Sequence, residues 1–226
     1  MDLGEVLFQG FKKISSSKLL AKLIFDVDIY PYDDCTCPYW DLTTIALKNA
    51  LNIYIKDGQR VLEIGTGPFA ILSTHMAKRK DIEITATDIN PFFIENAKKN
   101  TQKNNVTIRL INSDLFSNIE GPFDVVFFNP PYVPLPWVLQ NHKEMYTDSV
   151  FDLVWNGGRD GCDIIRRFLN EVAKIAHRDS IVILGVNSFF VDMVKMSKLI
   201  DAANLVSVST VSSVGSPSKV YIIKTS

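Results

Sequence analysis

From Gly58 onward, short apolar runs alternate with stretches of helical periodicity. The runs Arg60–Ile64, Ile82–Asp88, Val106–Ile111, Phe123–Phe128 and Ile181–Val186 have the length and character of buried strands. Ala70–Arg79, Pro91–Lys103, Cys162–Ala176 and Phe189–Ala203 carry apolar residues at helical spacing, with positions 164, 165, 168, 169 and 172 marking one face of the third. Asn90 is placed to cap the second of these helices, and Pro91 takes its first position. Two alternating runs, Leu205–Val211 and Lys219–Ile223, close the pattern with only the turn-forming SSVGSPS between them. Strands joined by helices run parallel, whereas a pair joined by a turn adds one antiparallel strand near the end. The pattern therefore predicts an α/β fold with a seven-stranded, mostly parallel sheet and helices on both faces. Ahead of it, residues 1–57 predict helical cover at Ser15–Phe25 and Leu42–Leu51, part of the same domain as residues 58–226.

Composition narrows the classes. A chain of 226 residues, 46% hydrophobic, can bury one large core. The net charge of −1 supplies no basic field toward duplex nucleic acid, and the lysine clusters read as solvated helix faces. Cys35, Cys37 and Cys162 lack the second pair or histidine cluster of a zinc site, so no metal is expected. So sparse a cysteine count suits a reducing, cytoplasmic setting. No apolar run approaches the roughly 18 residues of a membrane-spanning helix.

The chemistry gathers where strands end. Gly65 and Gly67, in VLEIGTGPF, stand between the first strand and its helix, where glycine lets the backbone approach a ligand. The third glycine of a dinucleotide loop is missing, since position 70 is Ala, and Pro68 removes a donor that a pyrophosphate would use. Glu63 inside the motif repels phosphate and favours a cation. Asp88 ends the second strand, 21 residues past Gly67, where a carboxylate accepts from both ribose hydroxyls. Asp114 follows the third strand and can accept from an adenine amine, with Leu115 or Phe116 covering the ring.

Together, EIGTG, TDIN, SDLF and NPPY resemble the class I methyltransferases that use S-adenosylmethionine, over roughly Val61–Tyr132. The resemblance implies their Rossmann-like sheet. It assigns Glu63, Gly65 and Gly67 to the methionine part of the cofactor, Asp88 to the ribose, and Asp114 with Leu115 to the adenine. Thr66, Ile89 and Asn129 complete the implied cofactor wall.

The fourth strand stops at Asn129-Pro130-Pro131-Tyr132, the expected catalytic residues. The nitrogen of an amide or aryl amine is a poor nucleophile, because its lone pair is delocalised. Two acceptors on its two N–H bonds can hold it in line with a methyl carbon. Asn129 offers a side-chain carbonyl and Pro130 a backbone one, while Pro131 keeps residue 130 extended. Neither proline has an N–H to compete, and Tyr132 can stack on the planar group. Positioning of this kind is worth several kcal/mol.

NPPY resembles the motifs of two families, adenine N-methyltransferases and the HemK/PrmC-type enzymes that methylate a glutamine amide of peptide release factors. NPPYVP and the segment from Trp155 to Leu169, WNGGRDGCDIIRRFL, are similar to the second family, with Asn156 where its pattern begins with Asp. The resemblance is to the short form without a separate N-terminal domain, which implies a release-factor-like protein substrate and a small activator subunit. The YPYDDCTCPYWDLTT stretch lacks that form's usual acidic-serine core. RNA adenine methylation remains an alternative reading, as does a silent cofactor-binding subunit. Val133–Ser149 reads as an irregular stretch beside the catalytic loop, with Trp137 and His142 near substrate or simply packed.

Overall fold

A computed structural model describes residues 13–32, 38–141, 154–212 and 215–225. Cys35, Cys37 and His142 lie outside the described residues. The described strands are β1 (Arg60–Ile64), β2 (Glu83–Asp88), β3 (Arg109–Asn112), β4 (Phe123–Phe128), β5 (Ala176–Asn187), β6 (Leu205–Ser212) and β7 (Ser218–Thr225). They form one sheet in the order β3-β2-β1-β4-β5-β7-β6. The first five strands pair in parallel, and β7 runs antiparallel to both β5 and β6. The helices are α1 (Lys18–Phe25), α2 (Leu42–Tyr54), α3 (Ile71–Ala77), α4 (Pro91–Lys103), α5 (Leu135–Asn141), α6 (Asp163–Glu171) and α7 (Met193–Ala202). No helix among the described residues is long and apolar enough to cross a membrane.

Successive side chains of a strand face opposite ways, so each central strand feeds two cores. Leu62, Ile64, Val126 and Phe128 pack with Phe168 and Leu169 of α6 and Met196 of α7. Val61, Val125 and Phe127 face the other side, against Phe25 of α1, Leu47 and Leu51 of α2 and Leu72 of α3. The N-terminal helices thus complete the second core.

The strand ends differ from the sequence pattern for local reasons. β3 begins at Arg109 and not Val106, because the Val106 N–H turns back to the carbonyl of Thr101 and closes α4. β5 begins at Ala176, five residues before its apolar run, and the polar His177, Arg178 and Asp179 disguise its start. A register shift between Phe123 and Val125 accommodates these residues, and His177 lies 2.9 Å from Asp124. α7 starts at Met193 because Asp192 caps it, accepting from the Lys195 N–H at 2.8 Å. α5 occupies part of the stretch that reads as irregular.

One attachment carries the chain between α1 and α2. Asn104 exchanges two hydrogen bonds with the backbone of Asp28, accepting its N–H at 2.8 Å and donating to its carbonyl at 2.9 Å. Asn100 does the same with Tyr30, at 2.8 and 3.1 Å. Four residues of helix rise about 6.0 Å and two residues of extended chain about 6.6 Å, so helical amides at i and i+4 match alternate residues of a strand. The intervening Val27 and Ile29 point into the core, 0% and 2% exposed. Asn96 continues the row and donates to the carbonyl of Pro68, in the glycine loop, at 2.9 Å.

Candidate active site

In the sheet order, β1 lies between β2 and β4, so chain direction reverses its progress across the sheet at β1 and β4. Ligands of such folds bind outside the carboxyl ends of the strands at this point. The register aligns Ile64 with Phe128, which brings the Gly65 loop beside Asn129. Likewise Asp88 pairs with Asn112, bringing the ends of β2 and β3 to the same edge. A cavity of about 280 Å³ opens there. It is lined by Glu63, Gly65, Thr66 and Gly67 from the first loop, Asp88 and Ile89 from the second, Asp114 and Leu115 from the third, and Asn129 through Tyr132 from the fourth. The implied cofactor and catalytic residues therefore border one space, whereas Phe116 packs against Phe168 and Trp137 against Phe190, outside its lining.

Glu63 is buried, and its Oε2 accepts from the Thr66 hydroxyl at 2.7 Å and from the Ser73 hydroxyl. Burial pushes its pKa up to about 7 against these hydrogen bonds, and the neighbouring charge of Asp88 adds to the rise. Asp88 is buried too, which pushes its pKa up to about 6. Its Oδ2 accepts the N–H of Gly67 and its Oδ1 that of Asn90, both at 2.9 Å. The carboxylate is thus aimed by the two backbone turns it joins. Asp114 is half-exposed, and its Oδ2 lies 2.9 Å from Nη2 of Arg167.

At the end of β4, Oδ1 of Asn129 is buried without a hydrogen-bond partner. An acceptor in that state costs about 1–3 kcal/mol, so its presence at the mouth of a strand requires an explanation. Tyr132 is buried, with one face against Phe190 at 6.3 Å between centroids. Burial, then the charge of Asp41, raises its pKa well above the usual phenol value, so it keeps its proton. The Asn-Gly-Gly segment after Trp155 runs alongside: the Val133 N–H donates to the carbonyl of Trp155 and the Gly157 N–H to that of Val133, each at 2.9 Å. A Cβ on Gly157 would sit 2.7 Å from Cα of Tyr132, so this close pairing needs glycine.

Sequence reasoning missed the N-terminal wall. Tyr39, Trp40 and Asp41 line the cavity, as do Phe69 and Arg167. Tyr39 meets Phe69 edge to face at 4.7 Å between centroids. The signal available was Asp41 just before the apolar period of α2, a helix-capping position.

The sheet order, the glycine turn after β1 and the acidic tips of β2 and β3 define a Rossmann-like methyltransferase fold. The match extends along the chain, for residues 40–184 fit the methyltransferase small domain family, and the protein belongs to that family. A protein of Methanocaldococcus jannaschii, provisionally named a protein N5-glutamine methyltransferase, is 38% identical over 138 residues, 61% of this chain and 65% of that one. The release factor glutamine methyltransferase of Deinococcus radiodurans is 32% identical over 114 residues, 50% of this chain and 40% of that one. The chain thus matches less than two thirds of the length of each. In three dimensions, a methyltransferase structure from Pyrococcus furiosus superposes with a TM-score of 0.67 over 96% of both chains, at 20% identity.

Proposed function

We propose that the protein transfers a methyl group from S-adenosylmethionine to the side-chain amide of a protein glutamine, of the release-factor type. The unpartnered Oδ1 of Asn129 carries this reading. A buried acceptor at the end of β4 fits an N–H donor brought by the substrate. The names of the two relatives support glutamine as its source.

The cavity suits the cofactor, which supplies an electrophilic methyl group on a sulfonium. Glu63 is a buried carboxylate with a raised pKa, and a cation beside it would restore its charge. Asp88, already aimed by two backbone N–H groups, keeps lone pairs for ribose hydroxyls. Asp114 and Leu115, which line the same cavity, would hold the adenine.

On the substrate side, Asn129 accepts one amide N–H and the Pro130 carbonyl the other. This orients the nitrogen and stabilises the positive charge it gains during attack. The prolines offer no competing donor. Tyr132 remains protonated and serves as a wall, not a base, so the surplus proton leaves to water.

The test is methyl transfer from labelled S-adenosylmethionine into protein and RNA from cells lacking the enzyme. We expect label in one protein band, lost when a single glutamine of that protein is changed to alanine. Label recovered as methyladenosine in RNA would replace this reading with the adenine one. Silence in both pools with cofactor bound would call for the small activator subunit.

A further inference from the structure

The catalytic loop is fastened from an unexpected quarter. Asp41, in the N-terminal segment, divides its carboxylate between two tasks. Its Oδ1 accepts both the N–H and the hydroxyl of Thr44 at 2.6 Å, and the Asp41 N–H donates back to Thr44 at 3.1 Å, closing a capping box on α2. Its Oδ2 accepts the hydroxyl of Tyr132 at 3.0 Å, across 91 positions of sequence. Thr43 Oγ1 stands 3.0 Å from the same hydroxyl and 3.2 Å from Oγ of Ser218, at the start of β7. Thr43 and Ser218 are 1% and 0% exposed, so this end of the cluster is buried, while Asp41 is partly exposed at the cavity.

Helix capping requires only one oxygen, and serine supplies it nearly as well as aspartate. The second oxygen of Asp41 reaches the last residue of Asn129-Pro130-Pro131-Tyr132. The two prolines fix their own φ angles, and Pro131 restricts residue 130, so the loop has few torsions through which to relax. Fixing Tyr132 therefore fixes the direction of the Pro130 carbonyl and the side chain of Asn129.

We propose that Asp41, supported by Thr43, is a positioning residue for methyl transfer, acting through the Tyr132 hydroxyl. The inference rests on the methyltransferase reading above. Asp41 also lines the cavity, so one carboxylate ties its N-terminal wall to the loop that presents the acceptors.

The experiment compares Asp41→Ser, which keeps a cap but cannot span to Tyr132, with Tyr132→Phe and the double variant. Each single change should lower kcat about tenfold at saturating cofactor and substrate, and the double variant should be no slower than the slower single. Amide exchange at Tyr132 and Val133, read by mass spectrometry, should quicken in all three. Thr43→Val, which leaves the cap untouched, should shift both readouts the same way and replaces Asp41→Ser if that variant does not fold. Losses in kcat that multiply would overturn the proposal. So would an Asp41→Ser enzyme that loses only cofactor affinity, or slows without faster exchange. If the wild-type protein does not methylate glutamine, the functional reading falls, while the exchange rates still decide whether Asp41 anchors the loop.

Discussion

Nη2 of Arg167, on α6, lies 2.9 Å from Oδ2 of Asp114, in the turn after β3. Hydrogen bonding to Asp114 raises the pKa of Arg167, and the side chains are 46% and 44% exposed. A pair so open to solvent contributes no more than about 1 kcal/mol to folding. Its consequence is orientation. Arg167→Ala should leave the melting temperature nearly unchanged and weaken cofactor binding about threefold, by freeing Asp114 to rotate. If Asp114 accepts from the adenine amine as proposed, Asp114→Ala should cost about tenfold, one hydrogen bond's worth. Titration calorimetry with S-adenosylmethionine measures both.

Asn129→Ala separates activity from stability. Removing one preorganised polar contact in an active site typically costs about 100- to 1000-fold in rate. The same change deletes a buried acceptor without a partner, so the folded state gains up to about 1–3 kcal/mol against the loss of packing. The expected enzyme is inactive, equally or more stable to heat, and nearly unchanged in cofactor affinity. Loss of cofactor binding would instead move Asn129 from the substrate side to the cofactor side.

The two glycines of the first loop should fail differently. Both have left-handed φ, +63° at Gly65 and +66° at Gly67. An alanine in that conformation costs about 1 kcal/mol at either site. At Gly65 its Cβ would also meet Cε2 of Phe128 at 2.8 Å, and that ring is held by Phe168 at 5.2 Å between centroids. At Gly67 the Cβ meets nothing within 4 Å and occupies cavity space. Gly65→Ala should therefore unfold at clearly lower urea than Gly67→Ala, by a further 1–3 kcal/mol or about that. Gly67→Ala should fold well and bind cofactor poorly.

Glu63 and Asp88 make stability depend on pH in a defined direction. Glu63 rises from 4.5 unfolded to about 7 folded, and Asp88 from 3.8 to about 6. Each raised pKa favours the folded state fully below its unfolded value, and the advantage is lost as pH rises through its folded value. The free protein should thus lose stability between pH 4.5 and 7, by an amount on the order of 3 kcal/mol for Glu63. Urea midpoints measured across this range should flatten in Glu63→Gln. A cation bound beside Glu63 favours its carboxylate, so affinity for S-adenosylmethionine should rise with pH up to about 7, with a proton released on binding.

The order of strands and helices and the tips of β1, β2 and β4 were legible because each rests on local signals: apolar runs, helical period, glycine and proline. Those signals weaken where long-range pairing decides. The start of β5 at Ala176 is polar in sequence and becomes a strand only by lying beside Phe123. Asp41 was equally hidden, since its cap is local but its bond to Tyr132 joins residues 91 positions apart. The Arg167–Asp114 pair is of the same kind, joining residues 53 positions apart.

The amides of Asn96, Asn100 and Asn104 grip main-chain atoms of Asp28, Tyr30 and Pro68, never their side chains. The track of this segment is therefore written in α4 and its cap, while the side chains at positions 28 and 30 make only solvent-side contacts, Asp28 with Lys22 and Tyr30 with Lys99, that contribute little. That segment can keep its place through changes in its own spelling, provided positions 96, 100 and 104 keep their asparagines. In a random library, tolerance at 28 and 30 and intolerance at 100 and 104 would be the imprint of that arrangement: geometry held by one stretch of chain on behalf of another.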